Sequence, residues 1–253
     1  MNKAVIGVLV CLATLSATLT WILLSSPSPE LPRVGANAIA EDAPKSTGRE
    51  RILVPEDSMS PAERADFEFA NLRDAKQRKE LIEWVAGQVW ADHKTPVLRK
   101  AMIADPNEEV QLAALDRSIQ LAEKKGELAI VEVVRAGLSA ANPKVAQQSL
   151  REARRHPSAE LVPDLLVVAD SDAAYRFLAI DALAFTDDSR ARAKVIEVAC
   201  REDGDKTERV RAIALLVKIK DVRADEVLAQ LCGSADPEIK AVAVEAMAAR
   251  DKK

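Results

Sequence analysis

The chain has 253 residues, of which 48% are hydrophobic but only 3% aromatic, and its net charge is −4. Alanine, leucine, glutamate and arginine lose little on entering a helix, whereas sheets favour aromatic residues, so the composition predicts an all-α protein. A mildly acidic chain lacks the concentrated positive field that nucleic-acid binding requires, and we expect no nucleic-acid partner.

Residues 1–24 have the pattern of a membrane-spanning segment. An uncharged stretch of 21 residues runs from Ala4 to Leu24, and a helix of that length crosses the hydrocarbon core of a bilayer. A cleavable signal peptide usually has a shorter apolar region with small residues close behind it, whereas the best match here, Ala38–Ala40, lies far downstream. We therefore expect an uncleaved signal anchor, and a secreted or periplasmic protein after cleavage is the alternative.

The basic residues around this segment predict its orientation. Lys3 and the amino terminus lie on one side, and Arg33 is the nearest basic residue on the other. This bias favours a cytoplasmic N-terminus and a body in the periplasm, as in a single-pass protein of a bacterial inner membrane. Residues 25–59 are rich in Pro, Ser and Ala, which predicts a flexible tether ending in a short extended segment.

A helical cap is predicted over residues 60–94. Ser60 as N-cap, Pro61 at the first helical position and Glu63 three residues after the cap form the pattern of a capping box. Trp90 is a candidate for partner binding, because exposed tryptophans often anchor interfaces, although a core position is the alternative. The candidate core residues are large and apolar: Phe67, Leu72, Leu81, Ile82, Trp84, Val85 and Val89.

From residue 95 to residue 253 a helix–turn–helix unit repeats five times. Asp-Pro or Asn-Pro precedes three of the second helices, at residues 105–106, 142–143 and 236–237, which is typical of an N-cap followed by the first helical residue. Each second helix has a branched or aromatic residue four positions before a small one, and this offset puts both on one face. These pairs are Val110/Ala114, Val145/Ser149, Tyr175/Ala179, Val210/Ala214 and Ile239/Ala243. The period of 29 to 35 residues is typical of an α-solenoid.

The sequences "YRFLAIDAL" at 175–183 and "VRAIALL" at 210–216, together with the repeated Asp-Pro, resemble HEAT repeats, in particular the short bacterial type of phycobilin-lyase-like proteins. The resemblance covers residues 95–251 and implies a right-handed solenoid of about five helix pairs. HEAT proteins are mostly scaffolds and adaptors, so it also implies binding of a protein partner. One second helix, "KVAQQSLREARRH" at 144–156, is unusually polar, which indicates either a distorted repeat or a contact face.

Two groups of basic residues are candidates for binding a partner. The first follows the branched residue in three repeats and would form a stripe, for which an inter-repeat ladder or plain solvation is the alternative: Arg176, Arg211 and Lys240. The second lies on the polar helix, where a solvated face is the alternative: Arg151, Arg154 and Arg155.

Cys200 and Cys232 lie 32 residues apart, near the ends of two consecutive first helices. A disulfide between them is possible in an oxidising compartment. Packed helices lie about 8–10 Å apart, however, and a disulfide needs Cα atoms within about 7 Å. The sequence leaves two alternatives open for these cysteines: a disulfide bridge, or two buried thiols.

The sequence contains no glycine-rich phosphate loop, nucleophile elbow or His-Glu-x-x-His motif. Its two histidines, His93 and His156, lie near predicted helix ends without a Cys or His at metal-ligand spacing. We therefore expect no enzymatic activity, metal, cofactor or small-molecule substrate. The expected function is that of a membrane-tethered scaffold for a protein partner, as an accessory subunit of a membrane or envelope complex. A pigment or cofactor lyase or chaperone, which the resemblance allows, and a ligand- or redox-responsive sensor are the alternatives.

Overall fold

The computed structural model describes residues 59–171 and 174–250, which all belong to one compact unit, Leu53–Lys253. These residues form α-helices and two short 3₁₀ helices, and no strand occurs within them. The α-helices in chain order are α1 Pro61–Asn71, α2 Ala75–Ala86, α3 Pro96–Ala104, α4 Glu108–Glu123, α5 Glu127–Leu138, α6 Pro143–Arg155, α7 Val162–Ser171, α8 Arg176–Ala184, α9 Ser189–Cys200, α10 Lys206–Leu215, α11 Val222–Leu231 and α12 Pro237–Arg250.

The helices pack as a stack of helix pairs, in which each pair contacts its neighbours in the sequence. Five pairs follow the cap helices α1 and α2: α3/α4, α5/α6, α7/α8, α9/α10 and α11/α12. The second members pack successively on one another from α2 through α12, and we call this layer the second-helix row. The all-helical repeat predicted from the sequence is therefore confirmed for the described residues.

Most of the described helices begin after a polar residue whose side chain caps the helix. Ser60 and Glu63 form the predicted capping box, with the Glu63 amide donating to Ser60 Oγ at 3.3 Å and the Ser60 amide donating to Glu63 Oε2 at 2.8 Å. Asp105 is not the N-cap of α4, however, and that prediction is wrong. Asn107 caps the helix by accepting from the Glu109 amide at 3.0 Å, while Asp105 ends α3 and its carboxylate turns inward.

The small residues of the second helices are buried where the register was predicted correctly. Ala114, Ser149, Ala179 and Ala243 are completely buried. Ala214 is exposed instead, so the predicted residue pair Val210/Ala214 is wrong. Helix α10 begins two residues earlier than the Val210 alignment required, because Asp205 is its N-cap, and the buried small residue is Ala212.

Helices α5 and α6 show why a small residue is needed at this position. A Cβ on Gly137 would lie 2.0 Å from Ser149 Oγ and 3.2 Å from Ser149 Cβ. Ser149 Oγ itself donates to the carbonyl of Val145 at 2.9 Å, which satisfies its polar group inside the core. Only hydrogen at Gly137 leaves room for this contact, so the two helices approach closely.

Several large side chains of the cap lie on the surface, against the prediction. Helix α1 buries Ala65 and Phe69, which are four residues apart, so Phe67 between them points outward and is 59% exposed. By the same geometry α2 buries Ile82 and Val85 and leaves Trp84 52% exposed. Val89, which follows α2 in a turn, is also exposed.

A buried ion pair joins the cap to the first repeat. Arg78 on α2 donates through Nε to Asp105 Oδ2 at 2.7 Å and through its second terminal nitrogen to Asp105 Oδ1 at 3.1 Å. The Asp105 side chain is 1% exposed and that of Arg78 is 10% exposed. Arg78 also donates to the carbonyl of Arg73 at 2.8 Å, so α2, its start and the α3–α4 turn are connected through one guanidinium.

Within the described ranges, the helices are all too short or too polar to traverse a lipid bilayer. The signal anchor predicted for residues 1–24 and the tether predicted for residues 25–59 fall outside those ranges, apart from Met59 at the very end.

Candidate partner-binding site

A groove of about 480 Å³ opens on the second-helix row, where α6, α8 and α10 lie side by side. We call it the arginine groove. Its lining residues come from these three consecutive repeats: Leu150, Arg151, Arg154, Arg155, Leu178, Asp181 and Arg211. Four of the seven residues predicted to bind a partner therefore lie together.

Helix α6 supplies three of the arginines because it is strongly amphipathic. Its buried face comprises Val145, Ala146, Ser149, Leu150, Glu152 and Ala153, which leaves Arg151, Arg154 and Arg155 toward the groove. The helix is continuous over 13 residues, with Asn142 as its N-cap. The polar sequence is thus the sequence of a regular helix with one exposed face, and not of a distorted repeat.

Asp181 of α8 is the buried centre of the groove. Its side chain is 6% exposed, and Oδ2 lies 3.0 Å from a terminal nitrogen of Arg154 and 3.7 Å from one of Arg211. A buried carboxylate requires such partners, because its desolvation is otherwise costly. Arg154 and Arg211 come from the repeats before and after Asp181, so one carboxylate connects three repeats.

Arg154 and Arg211 also contact the faces of aromatic rings. The Arg211 guanidinium carbon lies 3.3 Å from the centroid of the Phe177 ring, and that of Arg154 lies 4.8 Å from the Phe185 centroid. A guanidinium over the face of a ring is attracted by the π-electrons of that ring, and this contact does not use up its N–H donors, which can still bind an anion. Both Phe177 and Phe185 come from the α8 region.

A second acid–base cluster lies on α6 itself. Arg155 donates to Glu152 Oε2 at 3.0 Å, and Gln148 donates to Glu152 Oε1 at 2.7 Å. The Arg155 side chain is 65% exposed although Glu152 is buried. Arg151 donates to Gln148 at 3.3 Å and is exposed.

The electrostatic balance of the groove is positive. Four guanidinium groups face the carboxylates of Asp181 and Glu152, and an arginine cannot lose its charge near neutral pH. Fork-shaped donors of this kind match carboxylate or phosphate oxygens. The site can therefore bind an anionic group. The described residues include no cluster of three His, Cys, Asp or Glu side chains suited to a metal ion.

The three other residues predicted to bind a partner lie elsewhere. Arg176 is half-buried and donates to the carbonyl of Ala169 at 2.9 Å. Arg209 makes the same contact one repeat later, to the carbonyl of Ala199 at 3.1 Å, so Arg209 and not Arg211 is the equivalent of Arg176. Lys240 is exposed on α12. Trp90 is half-buried, with its ring 6.3 Å from that of Trp84.

The histidines make contacts between repeats. His93 lies in the segment between α2 and α3, and not at a helix end, with Nε2 3.1 Å from Glu132. Hydrogen bonds from Lys94 and His93 lower the pKa of Glu132. His156 ends α6, with Nε2 3.3 Å from Glu123 of α4.

Cys200 and Cys232 are free thiols in the structure. Cys200 is exposed and Cys232 is half-buried, and partial burial of the sulfur raises the pKa of Cys200. A bridge between them under oxidising conditions stays a prediction.

Sequence reasoning missed the groove residues of α8. The sequence pattern assigns no binding role to Asp181, Leu178, Phe177 or Phe185. The signal that could have found this contact is the N-cap Asp205, which defines the start of α10. With that start, Arg211 does not occupy the position equivalent to Arg176 and lies near Asp181 instead.

The similarity of this chain to known proteins is limited. No family model and no curated protein matches the sequence. Seven chains of solved structures match; one is a designed armadillo repeat protein, with 15% identity, a TM-score of 0.36, and coverage of 72% of this chain and 97% of that chain. The description of this chain as a helical-repeat protein with an arginine groove rests on its own helix packing and side chains.

Proposed function

We propose that the chain is a membrane-tethered, non-enzymatic scaffold of the HEAT type that binds a protein partner through the second-helix row. In this proposal residues 1–24 anchor it in a bacterial inner membrane and the repeat domain lies in the periplasm, as an accessory subunit of a membrane or envelope complex. The apolar N-terminal sequence and the HEAT-like repeat sequences support these parts of the proposal.

The arginine groove is the observation on which partner binding rests. It is assembled from three repeats, and Asp181 together with the rings of Phe177 and Phe185 fixes two of its arginines before any partner arrives. Binding to a preformed surface avoids much of the entropy cost of ordering side chains. A tether would raise the local concentration of the domain near membrane partners.

The test is co-purification of the full-length chain from its native membrane in mild detergent, with the stoichiometry of every retained protein. The groove variant is R151Q/R155Q/R211Q. The matched control is R99Q/R190Q/R223Q, which removes the same charge from exposed positions on the first helices α3, α9 and α11.

We expect a protein in fixed ratio with the wild type and the control, and its loss with the groove variant. A chain that purifies alone refutes the scaffold proposal. A chain that carries a bound pigment or other small molecule refutes it too, and favours the lyase or chaperone alternative.

A further inference from the structure

We infer that the arginine groove binds an acidic segment of the partner protein, through Asp or Glu side chains that dock against Arg151, Arg154, Arg155 and Arg211. This inference rests on the proposed function and specifies its chemistry.

The groove has more positive charge than its own carboxylates use. Asp181 is shared between Arg154 and Arg211, and its contact with Arg211 is the longer of the two, at 3.7 Å. The Arg154 side chain stays 49% exposed and that of Arg211 46% exposed. Arg151 and Arg155, which also line the groove, are exposed. Donors therefore remain available after every internal ion pair is made.

Arg154 and Arg211 are preorganised to bind a planar carboxylate. Each lies over the face of a phenylalanine ring and forms an ion pair with Asp181. Both guanidinium groups lie within 3.7 Å of the same oxygen of Asp181, so they are close enough together for one incoming carboxylate to contact both. Leu150 and Leu178 in the lining provide apolar contact for the methylene groups of an acidic side chain.

The surroundings favour a local acidic segment over an extended polyanion. Helix α4 packs beside α6 in the second-helix row. Its Glu123 lies 3.3 Å from His156 at the end of α6, and its Asp116 interacts electrostatically with Glu152 and Arg155. The whole chain has a net charge of −4. An anionic bilayer or an RNA strand would meet these carboxylates beyond the groove, whereas a short peptide that fits within it would not.

The experiment is fluorescence anisotropy with the full-length chain in detergent and labelled peptides that contain alternating Glu and Ser. The comparison peptides replace Glu with Gln or with Lys, and the competitors are a phosphoserine peptide, single-stranded RNA and vesicles with anionic lipid. We expect binding of the Glu peptide alone among the three peptides, with affinity that falls as salt rises.

The variants test the named arginines. We expect R154Q/R211Q to weaken binding of the Glu peptide by at least about tenfold, and R151Q/R155Q to weaken it severalfold. R190Q/R223Q on the first-helix side should bind as the wild type does. R151Q/R155Q leaves the Asp181 pairs intact, so it remains informative if R154Q/R211Q fails to fold by circular dichroism.

Equal binding of the Glu and Gln peptides would overturn the inference, as would unchanged binding by both groove variants. Preferential competition by RNA or by vesicles would replace the acidic segment with that ligand and overturn it as well. Failure here is distinguishable from failure of the scaffold proposal. If a partner co-purifies through the groove but acidic peptides do not bind, the acidic-segment inference is refuted and the scaffold proposal is not.

Discussion

The ion pair between Arg78 and Asp105 yields a prediction about how the cap is attached to the repeats. Two hydrogen bonds of 2.7 and 3.1 Å join the side chains, and the Asp105 side chain is 1% exposed. Removing one member of such a pair leaves the other charge buried without its partner, which typically costs about 3–5 kcal/mol. Neutralising both members costs less than the two single changes together.

We therefore expect R78Q and D105N each to destabilise the protein by about 3–5 kcal/mol, or about 6–20 °C in Tm for a domain of this size. The double variant should recover about 1–3 kcal/mol relative to the sum. Because the main contacts of each repeat are with its neighbours, the loss should be largest in the cap, and the last repeats should melt later.

The assay combines thermal unfolding by far-UV circular dichroism with tryptophan fluorescence in a W21F background. Trp84 and Trp90 are then the only tryptophans, and both report on the cap region. Two single variants that each cost less than about 1 kcal/mol, with additive effects, would refute the reasoning, because a pair buried as described must couple.

Three further predictions concern packing, pH and thiols. G137A should destabilise the protein, because the added methyl group meets Ser149. In an S149A background the same substitution should be neutral or stabilising, since alanine exceeds glycine in helix propensity by about 1 kcal/mol. Chemical denaturation of the wild type, the two single variants and the double variant measures this change of sign. Hydrogen bonds from Arg190 and from backbone amides lower the pKa of Asp188 to about 2. The stabilisation by this carboxylate is therefore fully present above about pH 4 and is lost as the pH falls toward 2, so D188N, which keeps an N-cap side chain, should lose less stability over that range in acid titrations. Thiol labelling of Cys200 should accelerate through and beyond pH 9, because burial raises its pKa, and C200S should abolish that phase.

Each of these has a contrary result. A G137A variant that behaves alike in both backgrounds would mean that the α5–α6 contact is not limiting. Parallel acid-unfolding curves for D188N and the wild type would mean that the cap does not titrate as described. A Cys200 that resists labelling until reductant is added would indicate the bridge to Cys232.

The sequence predicted the repeat well because helix starts and apolar periodicity are local signals. It failed where a decision depended on distant packing. Asp105 has the local pattern of an N-cap, yet its carboxylate pairs with Arg78, 27 residues earlier. Phe67 is apolar, yet the face of α1 that meets α3 is defined by Ala65 and Phe69.

The candidate site was predictable only in part for the same reason. The three arginines of α6 lie together in the sequence, so their shared face follows from helical geometry. Arg211 joins them through Asp181, and nothing local to either residue indicates that meeting. A two-residue error in the start of α10 was enough to assign Arg211 to a different surface.

Asp181 also has a mechanical consequence. Its two arginines belong to the repeats on either side of its own, so bending the stack at this point must lengthen at least one of the contacts. A ligand that draws Arg154 or Arg211 away from Asp181 weakens the contact between repeats. Conversely, a bend that moves the two arginines apart lowers their affinity for a ligand. Occupancy of the groove and stiffness of the stack are thereby linked thermodynamically, and force applied to either end of the repeat array would change how tightly the groove binds.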